Sequence, residues 1–331
     1  MIAAGQPFSQ PAAAARDELR FAMLGMIEGN GHPWSWSAII NGYDREKLAP
    51  CPYPVIPEYL NAQPTGSVRV PGARVTHLWT DRSDEAPPVA AAALIPNVVK
   101  RPTDVIGQVD AVFIATDDGF DHVERVRPFV EAGLPVFVDK PLALTLADLR
   151  TFVDWRNAGA HILSSSGLRY APELDTLLPI SPQIGQIRWI SAVSCKTWER
   201  YGIHLLEPVF RILGRGFVSI RLESSPGLEI AHLVHVSGAE VTLPVIKDGG
   251  ATFGTIHLCG TAGQTTFKFS DTYTSFRRQL VSFIDYVRTG IDPYPFAETV
   301  ELMSILIAGI TSKKEAGRRV LVSEIQSQLS S

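Results

Sequence analysis

The chain has 331 residues, 45% of them hydrophobic and 19% charged, and a formal net charge of −4. This balance fits a globular protein with a substantial core, and the length favours two domains. A mild negative charge without a basic stripe argues against a nucleic-acid binder. No run of about eighteen apolar residues marks a membrane span, and Cys51, Cys195 and Cys259 are too scattered for a disulfide framework or a paired metal site.

Residues 1–18, rich in alanine, proline and glutamine, read as a flexible N-terminal arm. They show neither a basic leader nor a long apolar segment, so a secretory signal is not expected and a reducing, cytoplasmic setting is. "RFAMLG" (20–25) is the first strand candidate, "RVTHLWTD" (74–81) the second and "VDAVFIATD" (109–117) the third. A helical "FDHVERVRPFVEAG" leads to the strand "PVFVDK" (135–140), and "TLADLRTFVDWRNAG" carries apolar residues on helical spacing before the strand "AHILSS". Strands alternating with helices predict an α/β domain over residues 19–166, with a mostly parallel, Rossmann-like sheet covered on both faces.

Between the first two strands, residues 41–72 hold six prolines, at 50, 52, 54, 57, 64 and 71. Proline lacks an amide hydrogen and crowds its predecessor, so this stretch reads as an insertion or lid following a crossover helix at 36–49. Beyond residue 167 the rhythm changes to short strands, "IRWISAVS", "VSIRLES", "EIAHLVHV", "EVTLPVI", "TFGTIHL" and "TTFKFS", split by glycine- or proline-bearing turns. Residues 167–331 are therefore expected to form an α+β domain on a mostly antiparallel sheet, closed by two amphipathic helices. The first of these places Phe276, Leu280, Phe283, Ile284 and Val287 on one face.

The turn after the first strand, "LGMIEGNGHPWSW", contains Gly25, Ile27, Gly29 and Gly31 without the usual GxGxxG spacing. Glycines at a strand-to-helix turn let the backbone approach a pyrophosphate, and helix N-terminal amides attract its charge. Glu28 brings an opposing negative charge there, and a flexible turn is the other reading. Asp81 ends the second strand, where an acid can bond the ribose hydroxyls of NAD and disfavour the 2′-phosphate of NADP. A solvated turn beside Arg82 and Asp84 is its alternative. The third strand ends in "IATDDGFDH", a polar turn with Thr116, Asp117 and His122 that offers further cofactor contacts.

The glycine turn, Asp81 and the block "VDAVFIATDDGFDHVERVRPFVEAGLPVFVDKPLALTLADLRTF" together resemble the glucose–fructose oxidoreductase / inositol dehydrogenase (Gfo/Idh/MocA) family from about residue 20 to 325. The resemblance implies NAD(P) in the first domain, with NAD preferred, and a sugar, cyclitol or related polyol against a large open sheet in the second. It implies a dehydrogenase interconverting a secondary alcohol and a ketone. The family often has Glu-Lys-Pro where this chain has Asp139-Lys140-Pro141, and the matching lysine orients the substrate hydroxyl beside the nicotinamide. "CKTWERYGIHLLEPVF" resembles the family's glycine-x-histidine motif, which makes His204 the proton-exchanging residue. Many members carry aspartate four residues earlier, where this chain has Arg200, followed by Tyr201. Arginine stays protonated and cannot replace that carboxylate, so it either grips an acidic substrate or faces solvent.

Arg169 and Tyr170 are expected near the substrate cleft, or else to tie the domain junction together. His232, His235 and His257 lie in strands, and a spacing of three puts the first two on opposite faces, a poor metal pair. The resemblance also implies a homodimer or homotetramer built on the open sheet. The competing expectation is a catalytically inactive, nucleotide-dependent binding or regulatory protein on the same scaffold, prompted by the irregular glycine turn, Glu28 and Arg200. A mainly structural assembly protein is a third.

Overall fold

A computed structural model of the chain describes residues 17–250 and 254–329. The expected N-terminal arm lies, apart from Asp17 and Glu18, outside the described residues. Two compact units are present. The first gathers the chain up to Asp139 with Thr151–Ser164 and Phe276–Pro293; the second comprises Lys140–Arg150, Ser165–Ser275 and the chain from Tyr294 onward. Chain order alone indicates one boundary at residue 166, whereas the units also exchange residues 140–150 and 276–293.

The first unit is built on six strands: β1 (Leu19–Leu24), β2 (Ala73–Trp79), β3 (Asn97–Val98), β4 (Ala111–Ile114), β5 (Val136–Val138) and β6 (Ile162–Leu163). They pair in parallel in the order β3-β2-β1-β4-β5-β6. β4 and β5 are buried at every position, the signature of a parallel strand covered on both faces. The order reverses between β1 and β4, and the carboxyl ends of those strands flank the crevice where open α/β sheets bind ligands.

Helix α1 (His32–Asn41) starts earlier than the sequence expectation of 36–49 and stops sooner. Pro33 suits a first turn, where its missing amide costs nothing; Gly42, at φ +83°, ends the helix. The rest of the proline-rich stretch folds into two short helices, α2 (Arg45–Leu48) and α3 (Val55–Asn61). Helices α4 (Ala86–Ala92), α5 (His122–Glu131) and α6 (Leu146–Asn157) follow. The core is aromatic: Phe283 packs on Phe113 and Phe137 at ring-centroid distances of 5.0 and 5.5 Å, and on Phe21 at 6.1 Å.

After helix α7 (Glu173–Ile180), the second unit carries an eight-stranded sheet of β7 (Ile187–Ala192), β8 (Ser194–Cys195), β9 (Phe217–Ser225), β10 (Leu228–His235), β11 (Glu240–Ile246), β12 (Thr255–Gly260), β13 (Gln264–Lys268) and β14 (Val320–Leu321). Its order is β13-β12-β7-β11-β10-β9-β14, with β8 also on β11. Only the β11–β7 and β11–β8 pairings are parallel. β10 and β11 alternate buried with more exposed residues, as in a sheet covered on one face. The remaining helices are α8 (Trp198–Leu213), α9 (Thr272–Thr289), α10 (Phe296–Lys314) and α11 (Val322–Gln326).

The N-terminus of α8 is fixed from a distance. Thr197 makes no side-chain cap bond; instead the Trp198 amide donates to Glu229 Oε2 at 2.7 Å, and Lys313 bridges Glu229 to Glu199. A carboxylate at this end satisfies an orphan amide and complements the helix dipole. Of the histidines, His232 is exposed and His235 buried on the opposite face, where it bonds Ser237 and the Arg215 carbonyl. No cluster of three or more His, Cys, Asp or Glu able to hold a metal occurs among the described residues, and none of their helices is long and apolar enough to cross a membrane.

Candidate active site

In the first unit, Gly25 sits directly after β1 at φ +91°. A Cβ there would meet Thr116 Cγ2 at 2.7 Å and lie 3.5 Å from both Asp81 Oδ2 and Arg125 Nη1. The backbone is thus open at the switch point only because position 25 has no side chain. Thr116 follows β4, and its buried hydroxyl has no hydrogen-bond partner, a cost a native chain rarely carries without a ligand or water to relieve it. Gly29, at φ +79°, is exposed beside half-buried Ile27. The glycine turn, with no side chain at Gly25 or Gly29, and the orphan Thr116 hydroxyl leave room for a dinucleotide pyrophosphate at the carboxyl end of β1.

Asp81 is braced on both oxygens. Oδ2 accepts from the Met26 amide at 3.0 Å, and Oδ1 pairs with Arg125 Nη2 at 2.8 Å. Arg125 Nε in turn bonds Asp121 Oδ2 at 2.6 Å. His122 is buried, with its Nε2 on the Thr116 carbonyl at 2.8 Å, so it shapes the turn after β4 in which buried Asp117 also lies. The insertion packs onto the glycine turn: a Cβ on Gly31 would fall 2.6 Å from atoms of Tyr53 and Ile56. Burial pushes the Tyr53 phenol up, against a hydrogen bond with the Gly29 backbone.

Asp139 is fully buried at the end of β5. Its Oδ2 accepts from Asn30 Nδ2 at 3.0 Å and is bonded by His32 Nδ1, while the His32 amide donates to Asn30 Oδ1 at 2.8 Å. The turn between β1 and α1 thus brings its own side chains to the carboxylate, which suits aspartate where the family often has the longer glutamate.

The second unit begins at Lys140, which precedes Pro141 through a cis peptide bond and is 3% exposed. Its Nζ lies 4.9 Å from the centroid of the Tyr201 ring, and Lys196 Nζ lies 4.3 Å from the same ring, both within cation–π range. Lys196 holds a left-handed φ of +66°, strained for a side chain without a special role. The Tyr201 ring also meets His204 edge-on at 4.8 Å. The structure therefore gathers three sequence candidates, Lys140, Tyr201 and His204, around one ring. Buried Cys195 precedes Lys196; burial raises its thiol pKa, against the pull of Lys196 and Lys140.

His204 is buried in the first half of α8, and its Nδ1 lies 2.6 Å from Ser166 Oγ. The Ser166 amide donates to Glu207 Oε1 at 3.1 Å, and Arg169 Nη1 donates to Glu207 Oε2 at 2.8 Å. Burial pushes the Glu207 carboxyl up, opposed by Arg169. Arg169 also pairs with Glu298 and lies 3.6 Å over the Tyr294 ring. Arg169 is 3% exposed and engaged by two carboxylates and a ring, so it holds Glu207, which holds Ser166, which orients His204. Tyr170 and Arg200 are half-buried, the latter on α8.

Sequence reasoning did not single out Arg125, Lys196, Ser166 or Glu207. The only local signal was the Ser-Ser-Ser-Gly run after β6, a turn-forming stretch able to place a hydroxyl. Gly25→Val should destabilise the first unit by about 1–3 kcal/mol through its positive φ alone. Calorimetry should then show no dinucleotide binding even well below the melting temperature.

Residues 58–164 match a family model described as "Oxidoreductase family, NAD-binding Rossmann fold". Among curated proteins, the chain is 26% identical over 84 residues to an Amycolatopsis mediterranei protein named for a UDP-kanosamine synthase oxidoreductase subunit; the match spans 25% of this chain and only 23% of that relative. The myo-inositol 2-dehydrogenase of Lactobacillus plantarum superposes with a TM-score of 0.72 at 15% identity, covering 92% of this chain and 99% of its own. The scyllo-inositol dehydrogenase of Lactobacillus casei, with bound NAD(H) and scyllo-inositol, also gives 0.72, at 12% identity over 92% and 99%. An Agrobacterium radiobacter oxidoreductase in complex with NAD+, L-tartaric acid and magnesium gives 0.72 at 15% identity over 93% and 99%. At these identities the structures share the fold. Together with the match over residues 58–164, the chain is similar to the Gfo/Idh/MocA oxidoreductases in its NAD-binding segment and shares the fold of these dehydrogenases.

Proposed function

We propose that the chain is a dehydrogenase that uses NAD in preference to NADP and interconverts a secondary alcohol and a ketone on a sugar, cyclitol or related polyol. The observation that carries the reading is the arrangement of Lys140 and His204 about the Tyr201 ring, with His204 Nδ1 held by Ser166. The polyol bound in the Lactobacillus casei structure lends support from a protein of the same fold.

The backbone at Gly25, Ile27 and Gly29 holds the pyrophosphate, Asp81 the adenosine ribose, and Thr116, Asp117, His122 and Asp139 the nicotinamide half. The bound dinucleotide supplies hydride exchange. Lys140 donates a hydrogen bond to the reacting oxygen and stabilises its developing alkoxide charge, the use of a preorganised cation in a water-poor site. Ser166 engages His204 Nδ1, so proton exchange falls to Nε2. Tyr170, Arg200 and Tyr201 line the substrate side, where Arg200 favours an acidic group on the polyol over a neutral one.

The test has two stages. Calorimetry with NAD(H) and NADP(H) establishes the cofactor; a polyol and sugar-acid screen then follows nicotinamide absorbance. Turnover on a CH–OH substrate is the expected result, and cofactor binding without turnover across a broad screen would favour the inactive binding protein. Ser166→Ala should lower kcat with KM little changed, by less than the factor of about 10²–10⁴ expected for an acid–base group itself. Light scattering should report a homodimer or homotetramer, for which the sheet face bearing exposed Trp189 and Val193 is the proposed contact; a monomer would remove that proposal.

A further inference from the structure

We infer that Arg125, clamped between Asp81 and Asp121, sets the choice between NAD and NADP. The inference rests on the dinucleotide reading of the first unit and concerns residues outside its glycine turn. Two carboxylates and one guanidinium leave the trio with one net negative charge. The contacts are short, 2.8 Å from Asp81 Oδ1 to Arg125 Nη2 and 2.6 Å from Asp121 Oδ2 to Arg125 Nε, and all three side chains keep partial exposure, 27%, 22% and 38% for Asp81, Arg125 and Asp121. The trio therefore reaches the surface rather than serving as core filling.

Each Asp81 oxygen has one bond accounted for, to the Met26 amide and to Arg125 respectively. A carboxylate oxygen accepts two, so each retains a lone pair in a fixed direction. A vicinal diol matches two such acceptors side by side. A 2′-phosphate instead brings about two negative charges to a cluster already negative. Glu85 adds another carboxyl within electrostatic range of Asp81, and neighbouring Arg82, on the exposed surface, pairs with Asp84 at 3.0 Å and with Glu85 at 4.0 Å. Arginine near the end of the second strand is ordinarily the residue that accommodates a 2′-phosphate. Here Asp121 neutralises that capacity. Asp121 thus acts as a specificity residue without touching the cofactor, and Arg125 as the positioning residue for Asp81.

Calorimetric titration of the full chain with NAD+ and with NADP+ tests this in wild type, Asp121→Asn and Arg125→Gln. Wild type should bind NAD+ more tightly. Asp121→Asn removes one negative charge and should narrow the ratio of the two dissociation constants by about tenfold, the size of one charge acting across several ångströms of partly solvated protein. Arg125→Gln makes the cluster more negative and should widen the ratio while weakening NAD+ itself. A purely structural role would weaken both cofactors alike, and thermal melts of each variant separate that case. A ratio that stays put, or that moves the same way in both variants, overturns the inference, as does a wild type that prefers NADP+. Wild type binding neither cofactor would instead bring down the dinucleotide reading on which the inference stands.

Discussion

Lys140→Met and His204→Ala should each lower turnover by about two to four powers of ten, the usual contribution of a positioned acid–base or charge-stabilising group. Methionine keeps most of the Lys140 stem, so the packing beside Tyr201 survives while the cation goes. That matters because Lys140 is 3% exposed and an alanine would leave a cavity. The two losses should not add, since both groups act on one oxygen and its proton. Single-turnover measurement of nicotinamide reduction, beside circular dichroism to confirm folding, checks both. Folded variants with near-wild-type turnover would reject the assignment of these residues.

Phe283→Ala should destabilise the first unit by about 3–5 kcal/mol, the range for removing a buried aromatic ring from a core. Phe283 is 0% exposed and lies within 5.0–6.1 Å, centroid to centroid, of Phe113, Phe137 and Phe21. Those partners line β4, β5 and β1, the strands that carry the proposed cofactor residues at their ends. Denaturant unfolding followed by intrinsic fluorescence should show the midpoint fall, and a transition in two steps is expected where units differ in stability. Retained stability would mean that α9 contributes little to this core.

Elements whose signal is local were readable in the sequence. β4 and β5 are short apolar runs bounded by polar turns, and β10 and β11 alternate. β3 was not readable, because Asn97–Val98 is two residues long and exposed. α4 was hidden because its "APPVAAA" begins with Pro87 and Pro88, which read as a break unless the first turn is allowed for. The apolar face of α9 was evident, but a stripe does not say which core it covers, and this one belongs to the sheet made at the other end of the chain. The same divide separates the site residues. Lys140 and His204 sit in short motifs. Arg125, Ser166 and Glu207 act through partners 38 to 44 positions away, Ser166–His204 and Arg125–Asp81 among them, and no local pattern encodes such pairs. The ion pairs of Arg169 were hidden for the same reason, since Glu207 and Glu298 are invisible from its own segment.

The place of Phe283 in the first core has a consequence for biosynthesis. Residues Phe276–Pro293 complete a unit whose other segments end at Ser164. A ribosome adding about 5–20 residues per second needs on the order of 6–20 s to make the intervening chain. Throughout that interval the six-stranded sheet lacks the helix that covers Phe21, Phe113 and Phe137, so the half of the protein that is made first is finished late. Any fragment meant to bind cofactor by itself must therefore carry residues 276–293 as well as the glycine turn. One cut after the sixth strand would hold Gly25 and Asp81 but leave those three phenylalanines without their cover.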